Sequence, residues 1–259
     1  MEVVIVDSHN EVGTVAAQPI VDALVADPEL VVGFATGSSP LPVYEALAAQ
    51  RTSGVDFSRV RGFAIDEYVG LPVSHPASYH QVIAREVVVS LGLAEDAVVV
   101  PDGSAEDLPA ACAGFEEAIR QAGGVAVQLL GIGADGHIGF NEPSSSLASR
   151  TRIKTLTAQT RADNARFFDS LDDVPTHCVT QGLGTILEAR HLVLVAQGSA
   201  KAAAVAAAVE GPVTARCPAS VIQLHPHVTV VVDAAAAADL ELAEYYRTTY
   251  LATPAWQGL

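Results

Sequence analysis

A histidine with carboxylates close to it on both sides is the strongest chemical signal in this chain. Asp135, His137 and Glu142 lie within eight residues of one another, in a glycine-rich segment that begins at Gly131. A neighbouring carboxylate raises the pKa of an imidazole and fixes its tautomer, so this group suits proton transfer near pH 7. A metal site made of the same three side chains and a purely structural loop are the alternatives. The metal site is the weaker one, because cysteines are scarce and no second histidine pair lies nearby.

A second acidic group, Asp66-Glu67, directly follows an apolar run. A carboxylate at the mouth of a partly dry cleft has its pKa raised by burial, which makes it an effective general base. The alternative interpretation of such a pair is a helix cap or an ion-pair partner.

An anion site is indicated by Thr36-Gly37-Ser38-Ser39-Pro40, which also follows an apolar run. Glycine permits a tight turn, the hydroxyls supply donors, and proline suits the first turn of a helix. Exposed N–H groups and the dipole at a helix N-terminus favour a bound phosphate. An ordinary capped turn is the alternative. The motif is neither a Walker A loop nor GxGxxG, so it gives little support to nucleotide binding.

Positive charge is concentrated in one region of an otherwise acidic chain. Five of the 14 Lys and Arg residues lie between positions 150 and 166: Arg150, Arg152, Lys154, Arg161 and Arg166. The other lysine, Lys201, follows a later apolar run. Clustered cations of this kind predict an anion receptor, and hence a phosphorylated small-molecule substrate. For residues 161–166 alone, a solvated helix face carrying ion pairs is the alternative.

Short valine-rich runs alternate with longer helical segments along the whole chain. The predicted strands are Val3–Val6, Leu30–Ala35, Val60–Ile65, Ala97–Val100, Val125–Leu130, His191–Ala196 and Val228–Val232. The predicted helices are Glu11–Ala26, Leu41–Ala49, Ala77–Ser90, Glu106–Gln121, Ser199–Glu210 and Ala234–Tyr246. Uninterrupted apolar strands are typical of a parallel sheet covered by helices on both faces.

The fold class predicted from this order is α/β, a single Rossmann-like domain over residues 1–259. Its core is an open, doubly wound, mostly parallel sheet of about seven strands. Residues 139–160 are polar and show no strand pattern, so we expect a long loop there that is either functional or disordered. Ligands bind beyond the carboxyl ends of the strands in such folds, which is where the acidic, glycine-rich and basic motifs fall.

Composition excludes several classes of function. Half of the residues are apolar and 17% are charged, so the chain is not intrinsically disordered. A formal charge of −16 argues against nucleic acid and anionic membranes as partners. The three cysteines form no CxxC pair and the N-terminus has no basic signal region. We therefore expect a cytoplasmic protein with reduced thiols.

Five stretches together resemble the glucosamine-6-phosphate deaminases, in the wider superfamily that includes the 6-phosphogluconolactonases. They are ATGSSPLPVYEAL (35–47), DEYVGLPVSHPASYH (66–80), GIGADGHIGFNEPSSSLASRTRIKTL (131–156), DNARFF (163–168) and VAQGSAKA through AAVEGP (195–212). The continuation after the histidine, Ile138 to Pro143, is similar to the deaminases, whereas the lactonases continue differently.

The resemblance implies isomerisation of an aldose to a ketose with loss of ammonia, without a metal or other cofactor. Glucosamine 6-phosphate and water would give fructose 6-phosphate and ammonia. His137 would assist ring opening while Asp135 and Glu142 orient it, and Asp66 would move the proton from C2 to C1. By the same resemblance the phosphate would be held by Thr36, Gly37, Ser38, Ser39, Arg166 and Lys201, and Glu67 would have a supporting role.

The resemblance also implies regulation and assembly. Some members of the family are hexamers activated by N-acetylglucosamine 6-phosphate, and Ser145, Arg152 and Lys154 match residues of that effector site. The segment 244–259 departs from the allosteric members, so we expect a homo-oligomer with weak or absent activation. A stretch from about Thr155 to Val179 would form an active-site lid. A lactone hydrolase of the same fold and a sugar-phosphate sensor without turnover are the alternative functions.

Overall fold

Seven parallel strands form the central sheet of the computed structural model, which describes residues 1–254. They are β1 (Glu2–Val6), β2 (Val31–Phe34), β3 (Arg61–Ala64), β5 (Val98–Val99), β6 (Val127–Leu130), β9 (His191–Ala196) and β10 (Val228–Asp233). Their spatial order is β1-β10-β9-β6-β2-β3-β5. Each predicted strand is therefore confirmed, and the sheet is the doubly wound α/β arrangement expected from the sequence.

Helices cover both faces of this sheet. They are α1 (His9–Ala26), α2 (Leu41–Thr52), α3 (Tyr79–Ile83), α4 (Leu108–Gln121), α5 (Ala158–Asn164), α6 (Leu183–Ile186), α7 (Ala202–Val209) and α8 (Ala243–Leu251). The strand β9 shows why both faces need cover: Leu192 and Leu194 join the apolar cluster on one side, and Val193 and Val195 join the cluster on the other. Alternate side chains of a strand point to opposite faces, so a uniformly apolar strand is buried on both.

A small antiparallel sheet, absent from the sequence prediction, lies beside the main one. It consists of β4 (Asp66–Tyr68), β8 (His177–Thr180) and β7 (Arg152–Thr155), in the order β4-β8-β7. Thr180 pairs with Asp66 on one side and with Arg152 on the other. The prediction that residues 139–160 contain no strand is therefore wrong, because Arg152–Thr155 gains its partners only from a distant part of the chain.

The last predicted helix, Ala234–Tyr246, is wrong over most of its length. The chain makes successive turns from 234 to 239, and α8 begins only at Ala243. The carboxylate of Asp233 accepts a hydrogen bond from the N–H of Ala236 at 2.7 Å, and Ala236 is fully buried. The capped turn and its burial outweigh the helix propensity of the alanines, which is a weak preference.

Among the described residues, no helix combines the length and the apolar character that crossing a membrane requires. All three cysteines are buried and free.

Candidate active site

A cavity of about 530 Å³ opens at the carboxyl edge of the main sheet. Most of the residues singled out in the sequence line it, from five separate segments: Thr36, Gly37, Ser38, Ser39, Asp66, His137, Arg166 and Lys201. The strands β2, β6 and β9 each end a few residues before one of these segments, so the parallel sheet itself brings them to one edge.

His137 lies between two carboxylates. Its Nδ1 atom is 2.6 Å from Oδ1 of Asp135 and 3.6 Å from Oε2 of Glu142. The backbone N–H of His137 also donates to Oδ1 of Asp135 at 3.1 Å. Gly133 makes room for the ring, since a Cβ atom at that position would lie 2.2 Å from Cε1 of His137. The glycine-rich segment therefore serves to seat the imidazole.

These contacts favour the charged form of the imidazole. Burial by itself lowers the pKa of His137, but the contacts with Asp135 and Glu142 outweigh burial and raise the pKa to about 9. Burial raises the pKa of Asp135, yet the contacts with His137 are stronger and hold it well below its usual range. At neutral pH the site thus contains an imidazolium beside an ionised aspartate.

Glu142 connects this group to the following helix. It is 3% exposed, and its Oε1 atom accepts hydrogen bonds from the Thr157 N–H at 3.2 Å and from the Thr160 hydroxyl at 2.6 Å. One potential ligand atom from each of Asp135, His137 and Glu142 lies within 4.8 Å of the others, which is also compatible with a bound metal ion. The arrangement by itself therefore suits either a proton-transfer group or a cation site.

Asp66 is a buried carboxylate with an unused oxygen. It is 4% exposed, and within residues 1–254 its Oδ1 atom has no hydrogen-bond partner. Burial raises the pKa of Asp66 well above its ordinary value, the negative charge of Glu67 raises it further, and His137 lowers it. An unsatisfied buried carboxylate is costly, and one that lines a cavity is typical of a catalytic base.

Two cations and a tight turn also line the cavity. Gly37 has a positive φ of 88°, which turns the chain tightly before α2. The guanidinium of Arg166 lies 3.4 Å from the Ser38 hydroxyl. Burial and, to a smaller extent, Arg166 lower the pKa of Lys201, while Asp163 and Asp135 oppose the decrease. Two cations beside a helix N-terminus suit a phosphate group.

Lys201 is placed by a carboxylate at the end of a neighbouring strand. The backbone N–H of Gly198 donates to both oxygens of Asp233, at 3.0 and 3.1 Å. This contact ties the loop after β9 to the end of β10. It fixes the start of the short helical segment that carries Lys201.

The prediction that all five clustered cations form one anion receptor is wrong. Arg150 forms ion pairs with Glu116 and Glu188 on the outer side of the molecule. Arg161 donates to the backbone carbonyls of Leu171 and Val174. Sequence proximity could not show this, because Glu116 and Glu188 are contributed by other segments.

The three residues matched to an effector site lie outside the catalytic cavity. Arg152 lines a second cavity of about 1010 Å³, and Nη1 of Arg152 donates to Oδ1 of Asn141 at 2.9 Å. Ser145 is 2% exposed, and its hydroxyl has no hydrogen-bond partner within the described part of the chain. Lys154 follows Arg152 by two residues on β7 and is half-buried. The second cavity includes neither Ser145 nor Lys154 among its lining residues.

Sequence reasoning missed a cluster of aromatic side chains that lines the cavity. Tyr68, Tyr79 and Phe140 line it and pack together, with ring centroids 4.9–6.0 Å apart. The amide of Asn164 donates to the Tyr68 hydroxyl at 3.1 Å. Tyr68 could have been found, since it follows Asp66 by two residues and therefore lies on the same face of a strand.

Known proteins resemble this chain over its whole length. The family model described as glucosamine-6-phosphate isomerases/6-phosphogluconolactonase matches residues 7–231. A protein named glucosamine-6-phosphate deaminase from Streptomyces avermitilis is 62% identical, with 100% of both chains covered. One of the same name from Mycolicibacterium smegmatis is 58% identical, again with 100% of both chains covered.

Solved structures agree with these relatives. One described as a monomeric glucosamine-6-phosphate deaminase matches with a TM-score of 0.89 and 37% identity, covering 92% of this chain and 100% of that one. A 6-phosphogluconolactonase from Trypanosoma cruzi matches with a TM-score of 0.73 at 19% identity, over 93% of this chain and 97% of that one, and shows the shared fold alone. The chain thus belongs to the glucosamine-6-phosphate isomerase/6-phosphogluconolactonase family, on the deaminase side of it.

Proposed function

We propose that the protein is a glucosamine-6-phosphate deaminase, which converts glucosamine 6-phosphate and water to fructose 6-phosphate and ammonia. The observation that carries the proposal is the lining of one cavity. It includes Asp66, whose Oδ1 atom has no hydrogen-bond partner among the described residues, and His137, together with the cations Arg166 and Lys201. Such a cavity can hold the phosphate of a sugar while acid and base groups face its first carbons.

Ring opening is the first step of the proposed reaction. The pyranose opens when a proton leaves the C1 hydroxyl and another reaches the ring oxygen. His137 exchanges these protons, and Asp135 and Glu142 hold its ring in one orientation and stabilise its charged form. A positioned acid–base group of this kind contributes about 10²–10⁴ in rate.

Asp66 moves the next proton. Its carboxylate removes the hydrogen at C2 of the open-chain aldehyde, which leaves an enol-like intermediate carrying the amino group on C2. Returning the proton to C1 produces a C2 iminium, and water adds there to release ammonia and leave the ketone of fructose 6-phosphate. Burial makes Asp66 more basic than an exposed aspartate, which suits the removal of a weakly acidic C–H proton.

Release of ammonia is the direct test. Purified protein should release ammonia and fructose 6-phosphate in equal amounts from glucosamine 6-phosphate, measured by coupled assays with and without a chelator. If 6-phosphogluconolactone is hydrolysed and no ammonia appears, the proposal is wrong. If a chelator abolishes ammonia release and added metal restores it, a cation held by Asp135, His137 and Glu142 takes part in the reaction.

We also propose that about Thr155 to Val179 acts as a lid. This stretch contains α5, Arg166 and the start of β8, and its polar Asp163 and Asn164 line the cavity beside Arg166. A phosphate bound by Arg166 would favour the closed position, since a charge-assisted hydrogen bond contributes about 1.5–3 kcal/mol. Hydrogen exchange of residues 158–167 should slow when fructose 6-phosphate is added.

We propose that the matched residues Ser145, Arg152 and Lys154 belong to an effector site. We also propose that the protein is a homo-oligomer. Arg152 is joined to the catalytic loop through Asn141, which directly precedes Glu142. Velocity curves with and without N-acetylglucosamine 6-phosphate should show weak or no activation, whereas strong sigmoidicity abolished by that compound would contradict this expectation.

Light scattering will show whether the protein is an oligomer. We also propose that the protein works in the cytoplasm.

A further inference from the structure

Glu67 directly follows the proposed base in the sequence, and both oxygens of its buried carboxylate have hydrogen-bond partners. It is 3% exposed and is not among the residues lining the catalytic cavity. Its Oε1 atom accepts from the N–H groups of Tyr68 at 2.8 Å and Tyr79 at 3.0 Å. Its Oε2 atom accepts from the N–H of His80 at 3.1 Å and lies 2.9 Å from Nδ1 of the same residue. One side chain thus joins β4 to the start of α3.

His80 interacts with two acidic groups. Its imidazole contacts Glu67, and its side chain is 31% exposed. Asp102, in the loop after β5, is close enough to interact electrostatically with His80. Hydrogen bonds from Ser104 are the main reason that the pKa of Asp102 is lowered, and the positive charge of His80 adds to them. A carboxylate oxygen accepts hydrogen bonds, so Nδ1–H of His80 donates to Oε2 of Glu67 and offsets part of its negative charge.

Glu67 is the neighbour of Asp66 in the chain, and its negative charge raises the pKa of Asp66. The groups that face Asp66 are Glu67, Tyr68, Tyr79, His137 and Cys178. Burial raises the pKa of both tyrosines and of the cysteine, so all three are neutral near pH 7. Glu67 and His137 are therefore the charged neighbours that set the protonation of Asp66.

We propose that Glu67 and His80 form a positioning pair that sets the basicity of Asp66. The carboxylate of Glu67 makes the base stronger and holds β4 against α3, and the hydrogen bond that the His80 ring donates to Glu67 limits the effect on the base. The inference rests on the proposed role of Asp66. Glu67 and His80 act through Asp66 and do not contact the sugar.

Opposite shifts in the pH profile test this proposal. For Glu67→Gln, the acidic limb of kcat/KM should move to lower pH by about one unit, the lower end of the about 1–3 units that a neighbouring charge produces. The amide oxygen can still accept from Tyr68 and Tyr79. For His80→Gln the same limb should move to higher pH, because Glu67 then loses the hydrogen bond from the His80 ring that offsets part of its charge. The titrations of the substrate are common to all profiles and cancel in the comparison.

Two controls separate the proposal from a structural role. His9→Gln removes an exposed histidine at the start of α1 and should leave the limb in place. Glu67→Asp keeps the charge, so it should retain more of the wild-type profile than Glu67→Gln. If both Glu67→Gln and His80→Gln lower kcat without moving the limb, or move it in the same direction, the pair is only structural and the proposal is wrong.

The proposal can still be tested if one of the two variants fails to fold. His80 is partly exposed, so His80→Gln keeps the buried carboxylate and tests the upward shift alone. If the wild-type protein releases no ammonia, the proposed function fails before any variant is compared. If it does release ammonia and His80→Gln leaves the limb unmoved, only the inference about the pair fails.

Discussion

At the scale of single residues, burial and direct contacts shift the pKa values of ionisable groups in the same site in different directions. Asp66 is buried without a partner for Oδ1 among the described residues, and burial makes it a stronger base. His137 is buried too, yet its contact with Asp135 keeps it charged. Opposite environments of this kind divide acid and base roles between neighbouring groups.

Replacing the proposed base should stop turnover and spare binding. Asp66→Asn keeps the size of the side chain but cannot accept the C2 proton, so kcat should fall by at least about 10²–10⁴-fold. Ammonia release measures turnover, and isothermal titration with fructose 6-phosphate measures binding. Near-normal turnover would show that another group is the base.

Removing the partner of the imidazole should lower the pKa of His137. In Asp135→Asn the negative charge at 2.6 Å is lost while burial remains, so the pKa should fall from about 9 toward or below 6.5. NMR of labelled histidine rings measures this pKa, and the spectrum of His137→Gln assigns the signal. Asp96→Asn, which removes an exposed carboxylate, should leave it unchanged. A His137 pKa that stays near 9 in Asp135→Asn would contradict the assigned contact.

At the scale of elements, short connections place the reactive groups. The small sheet β4-β8-β7 holds Asp66 at its edge and Arg152 two strands away in the same register. The glycine-rich loop after β6 seats the His137 ring against a residue without a side chain. Positions like these are determined by backbone pairing and close approach, so a small change in shape should have a large effect on activity.

Gly133→Ala tests this reliance on shape. The new Cβ would lie within 2.2 Å of the His137 ring, so the ring must move and kcat should fall severely while the fold is kept. Gly114→Ala is the control, since a Cβ at that exposed position in α4 meets nothing within 4 Å. The control should keep full activity and gain up to about 1 kcal/mol of stability. Equal activity in the two variants would mean that the loop does not position His137.

At the scale of the whole molecule, the layer of α1 and α2 secures the sheet from one face. Leu47, in α2, is fully buried in the apolar cluster on that face. The catalytic cavity lies at the carboxyl edge of the sheet, and Leu47 is not among the residues that line it. Stability and catalysis should therefore respond to different substitutions.

Leu47→Ala should lower the free energy of unfolding without changing the chemistry. Deleting a buried leucine side chain costs about 2–5 kcal/mol, through lost transfer energy and the cavity left behind. Urea unfolding measures this loss, and kcat/KM at 25 °C should stay near the wild-type value. Val25→Ala, at a position 81% exposed, should change stability by no more than about 0.5 kcal/mol. A similar loss in both variants would show that this layer is not the stabilising core.

Much of the fold was predictable because its signals are local. A strand buried on both faces must be apolar throughout, so runs such as Val228–Val232 mark the sheet directly in the sequence. The carboxyl edge then follows from parallel topology, which is why Asp66, His137 and Lys201 could be expected in one region. The resemblance to the deaminases added the chemistry assigned to them.

Tertiary structure decided what depends on partners far away in the chain. Arg152–Thr155 is polar and becomes a strand only through pairing with His177–Thr180. Arg150 and Arg166 have the same side chain in the same basic region, yet one reaches Glu116 and the other lines the cavity. An apolar pattern carries its own burial energy, whereas the fate of a charge depends on which opposite charge the fold brings near it.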